Sequence, residues 1–118
     1  MESVHIYISL GRFKSISEMR VYIDKRYTEN GDSIPSMFMI ETGLSNYEPS
    51  CIEAILSPSG KAITVSELLD GASYYDQWLP QIDGQWVADA AICVYSPNVL
   101  ATPAATSLEY LGKFNYVA

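Results

Sequence analysis

The side chains that most often perform chemistry are few in this 118-residue sequence, and they are widely separated. His5 is the only histidine and lies in an apolar run, which indicates a structural rather than a catalytic role. Cys51 and Cys93 lack the closely spaced second ligand of a zinc site, so we expect two reduced, inert thiols. The stretch 58–61 resembles the end of a phosphate-binding loop but lacks its first glycine and final hydroxyl residue. We therefore expect no catalytic centre, no metal and no cofactor.

The segment from Asp70 to Trp86 indicates binding rather than catalysis, because aromatic and acidic residues are interleaved there with turn residues. Aromatic side chains supply much of the binding energy at protein interfaces, and unpaired acids attract a cationic partner. Core packing is the simpler interpretation for the two tryptophans, whereas the acids must face solvent or a ligand. The aromatic and acidic residues of this segment are Tyr74, Tyr75, Trp78, Trp86, Asp70, Asp76 and Asp83.

The net charge of −7 comes from 14 acids and seven bases that are unevenly distributed along the chain. Residues 1–28 hold five bases and three acids, whereas residues 29–118 hold eleven acids and two bases. Nucleic acids and anionic membrane surfaces are bound through clustered lysine and arginine, so both classes of partner are disfavoured. A solvated acidic surface and a surface that steers a basic protein partner are both consistent with this pattern.

Length and hydropathy favour one domain over residues 1–118. The N-terminus lacks the basic region and long apolar run of a signal peptide, and no apolar segment approaches the roughly 20 residues of a membrane span. We therefore expect a cytoplasmic protein.

Local signals outline the first half of the chain. Residues 4–10 alternate as in a strand, and Ser15 and Glu18 have the spacing of a helix capping box. Helical spacing then predicts an amphipathic helix over 16–28, with Tyr27 on its buried side and its bases on the outer side. A second helix is predicted between Pro35 and Gly43. Its predicted buried residues are Met37, Phe38 and Ile40.

The second half of the chain adds two short helices and three strands. Strands are predicted at 51–56, at 86–95 and at 108–117, the last with a bulge at Gly112. Short helices are predicted after a second capping box at Thr64 and after Ser73. This order predicts an α+β fold, a single domain with a mostly antiparallel sheet of about four strands and helices packed on one face.

Several of these segments also resemble a known family. The strand at 4–8, Phe13, the helix through Ile23 and above all the Gly-Asp-x-Ile-Pro-Ser-x-Phe-Met stretch at 31–39 are similar to the immunity protein 22 family of bacterial polymorphic toxin systems. The resemblance covers roughly the first 80 residues, more weakly over 66–74, and the C-terminal strands match only in kind.

The resemblance implies a non-enzymatic, cytoplasmic immunity protein that binds and neutralises a cognate toxin domain. Many such toxins are nucleases with basic substrate sites, which an acidic inhibitor would cover. We expect a toxin with a basic surface, and neither nucleic acid nor membrane, as the partner. The residues that we expect to bind the toxin are Asp32, Glu41, Glu48, Asp70, Tyr74, Tyr75, Asp76 and Asp83.

Two alternatives remain open at the level of sequence. A small enzyme or ligand-binding domain would use a pocket of carboxylates and tyrosines, and a deep cavity would distinguish it from an acidic docking face. An oligomeric structural protein would instead have a large exposed apolar patch.

Overall fold

The computed structural model describes all 118 residues, from Met1 to Ala118. The strands are β1 (Glu2–Ser9), β2 (Arg26–Tyr27), β3 (Ser33–Ile34), β4 (Leu44–Ser45), β5 (Ile52–Leu56), β6 (Ile63–Thr64), β7 (Val87–Ala88), β8 (Ala90–Tyr95), β9 (Val99–Leu100) and β10 (Glu109–Tyr116). The helices are α1 (Ile16–Ile23), α2 (Met37–Thr42), α3 (Val65–Leu68) and α4 (Tyr75–Trp78), with 3-10 turns at Pro49–Cys51 and Leu79–Gln81. No helix has the length and apolar character needed to cross a membrane.

The centre of the molecule is a four-stranded antiparallel sheet in the order β10-β1-β8-β5. The remaining short strands form three separate pairs, β2–β3, β4–β9 and β6–β7. The α+β class and the predicted sheet of about four antiparallel strands are therefore confirmed.

The helices differ from the expectation in covering both faces of the sheet instead of one. On one face α1 and α2 pack Met19, Tyr22 and Phe38 against the sheet. On the other face α3 and α4 contribute Leu68 and Trp78 to a separate core. The reason is that β1 and β8 are buried on both of their sides, and a strand apolar on both faces needs a covering layer on each.

Helix α1 ends five residues earlier than predicted. Ser15 caps it by accepting a hydrogen bond from the Glu18 amide, as the capping box indicates. At the other end Asp24 has extended backbone angles, and Arg20 holds its carboxylate with two hydrogen bonds of 2.7 and 2.8 Å. The chain then enters the β2–β3 hairpin, which leaves Tyr27 exposed. Arg20 is half-buried, so not every base of α1 lies on the outer side.

Helix α2 buries a narrower stripe than predicted. Phe38 and Thr42, one turn apart, are fully buried, whereas Met37 and Ile40 are more than half exposed. Gly43 ends the helix with left-handed backbone angles, as expected.

The run predicted as one strand over 86–95 is interrupted at Asp89. Ala88 therefore packs with the α3–α4 core, while Ala90 packs with the α1–α2 core. Trp86 precedes both short elements and is 44% exposed. Gly112 lies where the β1–β10 register shifts, which confirms the predicted bulge.

Candidate functional site

The exposed residues of segment 65–83 form a surface over one face of the sheet, which we call the acidic face. Beneath it, Leu68, Leu69 and Trp78 are buried and fix the segment to the sheet. The Trp78 indole N–H donates a 3.1 Å hydrogen bond to the carbonyl of Ser73, which ties the loop before α4 to that helix. The exposed members of the acidic face include Glu67 and five of the predicted binding residues, Asp70, Tyr74, Tyr75, Asp76 and Asp83.

Tyr74 has an unusual backbone. Its φ of 59° and ψ of 20° lie in the left-handed region that a residue with a Cβ rarely adopts. The ring stacks on Tyr116 with centroids 4.6 Å apart and an interplanar angle of 20°, yet Tyr74 remains 42% exposed. Backbone strain of this kind is concentrated at functional sites, so the position of this ring is of particular interest.

Tyr74 is the outer wall of a small cavity of about 240 Å³, which we call the tyrosine pocket. Its inner walls are Tyr95 and Tyr116, both buried and in edge-to-face contact with centroids 5.7 Å apart. Glu2 from β1 and Glu53 from β5 add two carboxylates to the lining. The pocket thus combines aromatic rings with negative charge.

Hydrogen bonds to Ser73 hold the pocket together. The Ser73 amide donates to the Glu53 carboxylate at 3.0 Å, and the Tyr95 hydroxyl donates to the Ser73 carbonyl at 2.9 Å. Burial and the neighbouring Cys93 and Glu53 raise the pKa of Tyr95 far above its usual range. Burial first, and then Glu2, also raises the pKa of Tyr116. Both phenols are therefore neutral at pH 7, and the negative charge of the pocket comes from the carboxylates.

The acids of the chain are almost entirely without ionic partners. The Arg20–Asp24 contact at 2.7 Å is the one salt bridge within 4.0 Å among all 118 residues. Five of the seven bases lie between Arg12 and Arg26, in or beside α1 on the far side of the sheet. The segment from Lys61 to Lys113 contains no other base, so the acidic face holds none.

The other three predicted binding residues do not lie on this face. Asp32 is exposed in the turn between β2 and β3, on the side of α1 and α2. Glu41, in α2, accepts a hydrogen bond from the Tyr22 hydroxyl. Glu48 accepts hydrogen bonds from the hydroxyl and amide of Ser50, at 2.8 and 3.3 Å, and so caps the 3-10 turn. Five of the eight predicted residues therefore lie in the segment that covers one face of the sheet, and three lie elsewhere.

The histidine and the two cysteines, the side chains most often used in catalysis, are surrounded by groups that favour a structural role. His5 Nδ1 lies 2.8 Å from the Tyr110 hydroxyl, and burial, assisted by Lys113, lowers the pKa of His5 to about 4. Both cysteines are free thiols, with Cys93 buried and Cys51 partly exposed. Burial raises the pKa of Cys93 well above its usual range, so it is an unreactive thiol at neutral pH. No group of three or more His, Cys, Asp or Glu side chains is arranged to hold a metal ion.

Two larger grooves have a different character. One, of about 800 Å³, lies between α1 and α2, and its lining includes the exposed Val21, Met37 and Ile40. The other, of about 620 Å³, includes the half-exposed Trp86 and Leu10. Both linings combine apolar residues with charges of both signs, Arg12, Glu18 and Arg26 in the first groove and Arg12 and Glu109 in the second. Neither groove therefore has the negative character of the tyrosine pocket.

The residues predicted from sequence include Tyr74 but not the residues that line the tyrosine pocket with it. Tyr95, Tyr116 and Glu2 come together because β1 pairs with β8 on one side and with β10 on the other. Strand alternation assigns each residue to a face, but nothing local specifies which strands are neighbours. Glu53, an acid within an otherwise apolar strand, is the one member with a visible signal.

Comparison with known families gives an assignment that is independent of this geometry. No curated protein and no solved structure matches the chain. The sequence profile of a family described as Immunity protein 22 matches residues 4–117, well beyond the part from Val4 to Tyr74 in which the resemblance was most visible. Because this match includes the C-terminal strands and nearly the whole chain, the protein belongs to the Immunity protein 22 family.

Proposed function

We propose that the protein neutralises a cognate toxin domain by tight stoichiometric binding through its acidic face, in the cytoplasm of the cell that makes the toxin. Membership of an immunity protein family supports an immunity function and implies a toxin as partner. The finer elements of the proposal are the binding surface, the basic character of the toxin and a mechanism without catalysis.

The observation that carries the proposal is an exposed face with acids and tyrosines but no base. Asp70, Asp76 and Asp83 are exposed, and none has a cationic partner within 4.0 Å. Tyr74 and Tyr75 provide aromatic surface among them. Tyrosines supply binding energy at interfaces, and unpaired charge steers a partner of opposite sign.

The charge of the face also supports a proposal about the class of toxin. A nuclease has a basic substrate site because its substrate is a polyanion, so an acidic inhibitor that covers this site would be electrostatically complementary to it. We therefore propose a nuclease as the toxin. The alternative of a small enzyme or ligand-binding domain that uses carboxylates and tyrosines is less well supported, because the cavity that combines these groups, the tyrosine pocket, has about 240 Å³ and ligand sites typically have about 300–1,000 Å³.

The first experiment tests the immunity function. The gene upstream of the coding sequence is identified, and the C-terminal domain of its product is expressed in a sensitive host with and without this protein. We expect growth arrest that is relieved by co-expression, and a one-to-one complex by size-exclusion chromatography. An upstream metabolic gene, or a toxin domain that this protein neither binds nor neutralises, would overturn the proposal.

The second experiment tests the surface. Asp70→Lys/Asp76→Lys reverses two charges on the acidic face, and Glu29→Lys/Asp32→Lys makes the same change in net charge on the opposite side. We expect the first variant to slow association with the toxin domain by about tenfold or more at low salt, and to flatten its salt dependence.

The matched variant distinguishes an effect of charge on the acidic face from an effect of the net charge of the protein. Glu29→Lys/Asp32→Lys should slow association only slightly, because its charges lie on the far side of the sheet. Thermal unfolding checks that both proteins are folded. Equal slowing by the two variants, or association that does not depend on salt, would show that the acidic face does not direct binding.

A further inference from the structure

We propose that the tyrosine pocket binds the guanidinium group of one arginine side chain presented by the toxin. This inference rests on the proposed function, and it adds the chemistry of a single anchor residue to it. The pocket opens at one end of the sheet, where β1, β5, β8 and β10 meet the loop before α4.

The rings provide a platform for a flat cation. Tyr74 is held against Tyr116 at a centroid distance of 4.6 Å, and Tyr95 closes the rear of the cluster with centroids 6.5 Å from Tyr74. The two inner rings are buried, whereas Tyr74 is 42% exposed. A cation close to the face of such a ring is attracted by its quadrupole, and arginine is the side chain that most often does this.

The carboxylates provide the opposite charge. One oxygen of Glu53 accepts the hydrogen bond of the Ser73 amide at 3.0 Å, which fixes the carboxylate in place beside the Tyr95 ring. The Glu2 carboxylate accepts no hydrogen bond from another side chain or amide of the chain, and Glu2 lies on the same side of β1 as the pocket. No lysine or arginine contributes to the lining, so neither acid is neutralised internally.

Size and charge together select the ligand. Two carboxylates disfavour a phosphate or other anion, and the small volume disfavours a cofactor or drug-sized molecule. A guanidinium is flat, carries five N–H donors and is more weakly hydrated than an ammonium group, so it can stack on an aromatic ring while donating to carboxylates. Lysine offers the charge without the planar shape.

The strained backbone of Tyr74 is consistent with this role. Its left-handed conformation directs the ring against Tyr116 at the mouth of the cavity, where a glycine would meet no steric penalty but would leave no ring. Tyr75, the next residue, is also exposed but does not line the pocket, and so it is a natural control.

The test uses short peptides as probes for the pocket. Nitrogen-15-labelled protein is titrated with N-acetylated, C-amidated tripeptides Gly-Arg-Gly, Gly-Lys-Gly and Gly-citrulline-Gly, and amide and tyrosine ring resonances are followed by NMR. We expect saturable shifts at Ser73, Tyr74, Tyr95 and Tyr116 with the arginine peptide, several-fold weaker binding of the lysine peptide and none of the neutral citrulline peptide. Tyr74→Ala and Glu53→Gln should abolish the shifts, whereas Tyr75→Ala should retain them.

The same variants separate this inference from the proposed function. If the inference is correct, Tyr74→Ala and Glu53→Gln weaken toxin binding by about tenfold or more, and Tyr75→Ala weakens it less. If the arginine peptide gives no saturable shift up to its solubility limit, or if the pocket variants bind the toxin normally, the arginine anchor is wrong while the immunity function stands. If the wild-type protein binds no toxin, the proposed function itself fails.

Discussion

The neutral, buried state of His5 predicts a specific loss of stability in acid. His5 is 7% exposed, lies beside Lys113 in the β1–β10 pairing and contacts the Tyr110 hydroxyl through Nδ1. Burial first, and then Lys113, lowers the pKa of His5 to about 4 from the value of about 6.5 expected in the unfolded chain. The folded state therefore resists protonation that the unfolded state accepts.

The sign and size of the effect follow from this difference. Above pH 6.5 both states are neutral at His5, and the full stability is present. As the pH falls from about 6.5 to 4, the unfolded state binds a proton first, so the free energy of unfolding decreases. A difference of about 2.5 pKa units corresponds to about 3 kcal/mol, which is a substantial part of the 5–15 kcal/mol typical of a domain.

The assay compares the wild type with His5→Asn, which does not titrate but can retain a hydrogen bond to Tyr110. Urea unfolding is followed by tryptophan fluorescence, since Trp78 is fully buried, at several pH values between 7 and 4. The carboxylates are common to both proteins, so their contribution cancels in the difference between the two curves. We expect the wild type to lose about 3 kcal/mol more than the variant over this range.

Two further measurements make the reasoning refutable even if the variant is poorly folded. The wild-type His5 ring should titrate by NMR near pH 4, and Lys113→Gln should raise that midpoint only partly, because burial is the larger cause. A midpoint near 6.5, or parallel stability curves for wild type and His5→Asn, would refute the argument.

Two other predictions concern backbone positions with positive φ. Gly43→Ala should destabilise the protein by about 1–3 kcal/mol in urea unfolding, because φ is 64° and the new Cβ would lie 2.9 Å from the Cβ of Ala101. Gly31→Ala, at φ 85° but in open space, is its control and should have a smaller effect, and equal losses would contradict the steric part of the argument. Tyr74→Gly should change the free energy of unfolding by no more than about 1 kcal/mol, because relief of about 1–2 kcal/mol of left-handed strain offsets the loss of a ring stack worth about 0.5–1.5 kcal/mol. The same variant should lose affinity for the toxin, and a large loss of stability would show that the ring serves the fold rather than binding.

The features that sequence predicted correctly depend on local hydrogen bonds. Ser15 and Thr64 cap their helices through amides three residues later, and Gly43 ends α2 with positive φ. These interactions involve neighbours in the chain, so their signals are complete within a few residues. The buried strand around Ile6 is of the same kind, because alternation is a local property.

The features that could not be predicted from sequence depend on contacts between helices and strands that are distant in the chain. Tyr27 has helical spacing relative to α1 but is drawn into the β2–β3 hairpin, and Met37 and Ile40 face solvent because no layer covers that side of α2. The tyrosine pocket was missed for the same reason, since its lining comes from four strands whose pairing no short segment specifies. Of the proposed site, the sequence indicates only the residues within one continuous segment, Asp70 to Asp83.

The three-dimensional arrangement also changes the meaning of the charge pattern. In sequence, the basic first quarter and the acidic remainder could have been neighbours in space and neutralised one another. Instead the sheet separates α1, with its bases, from the acidic face, and the chain makes a single salt bridge.

Uncompensated like charges on a compact protein repel one another and lower its stability, so the acidic face does not serve the fold of the free protein. A cationic partner would remove this repulsion on binding, and a ligand that binds only the folded state stabilises it. The separation of charge by the sheet is therefore consistent with the basic partner that we propose, and it is not a requirement of folding.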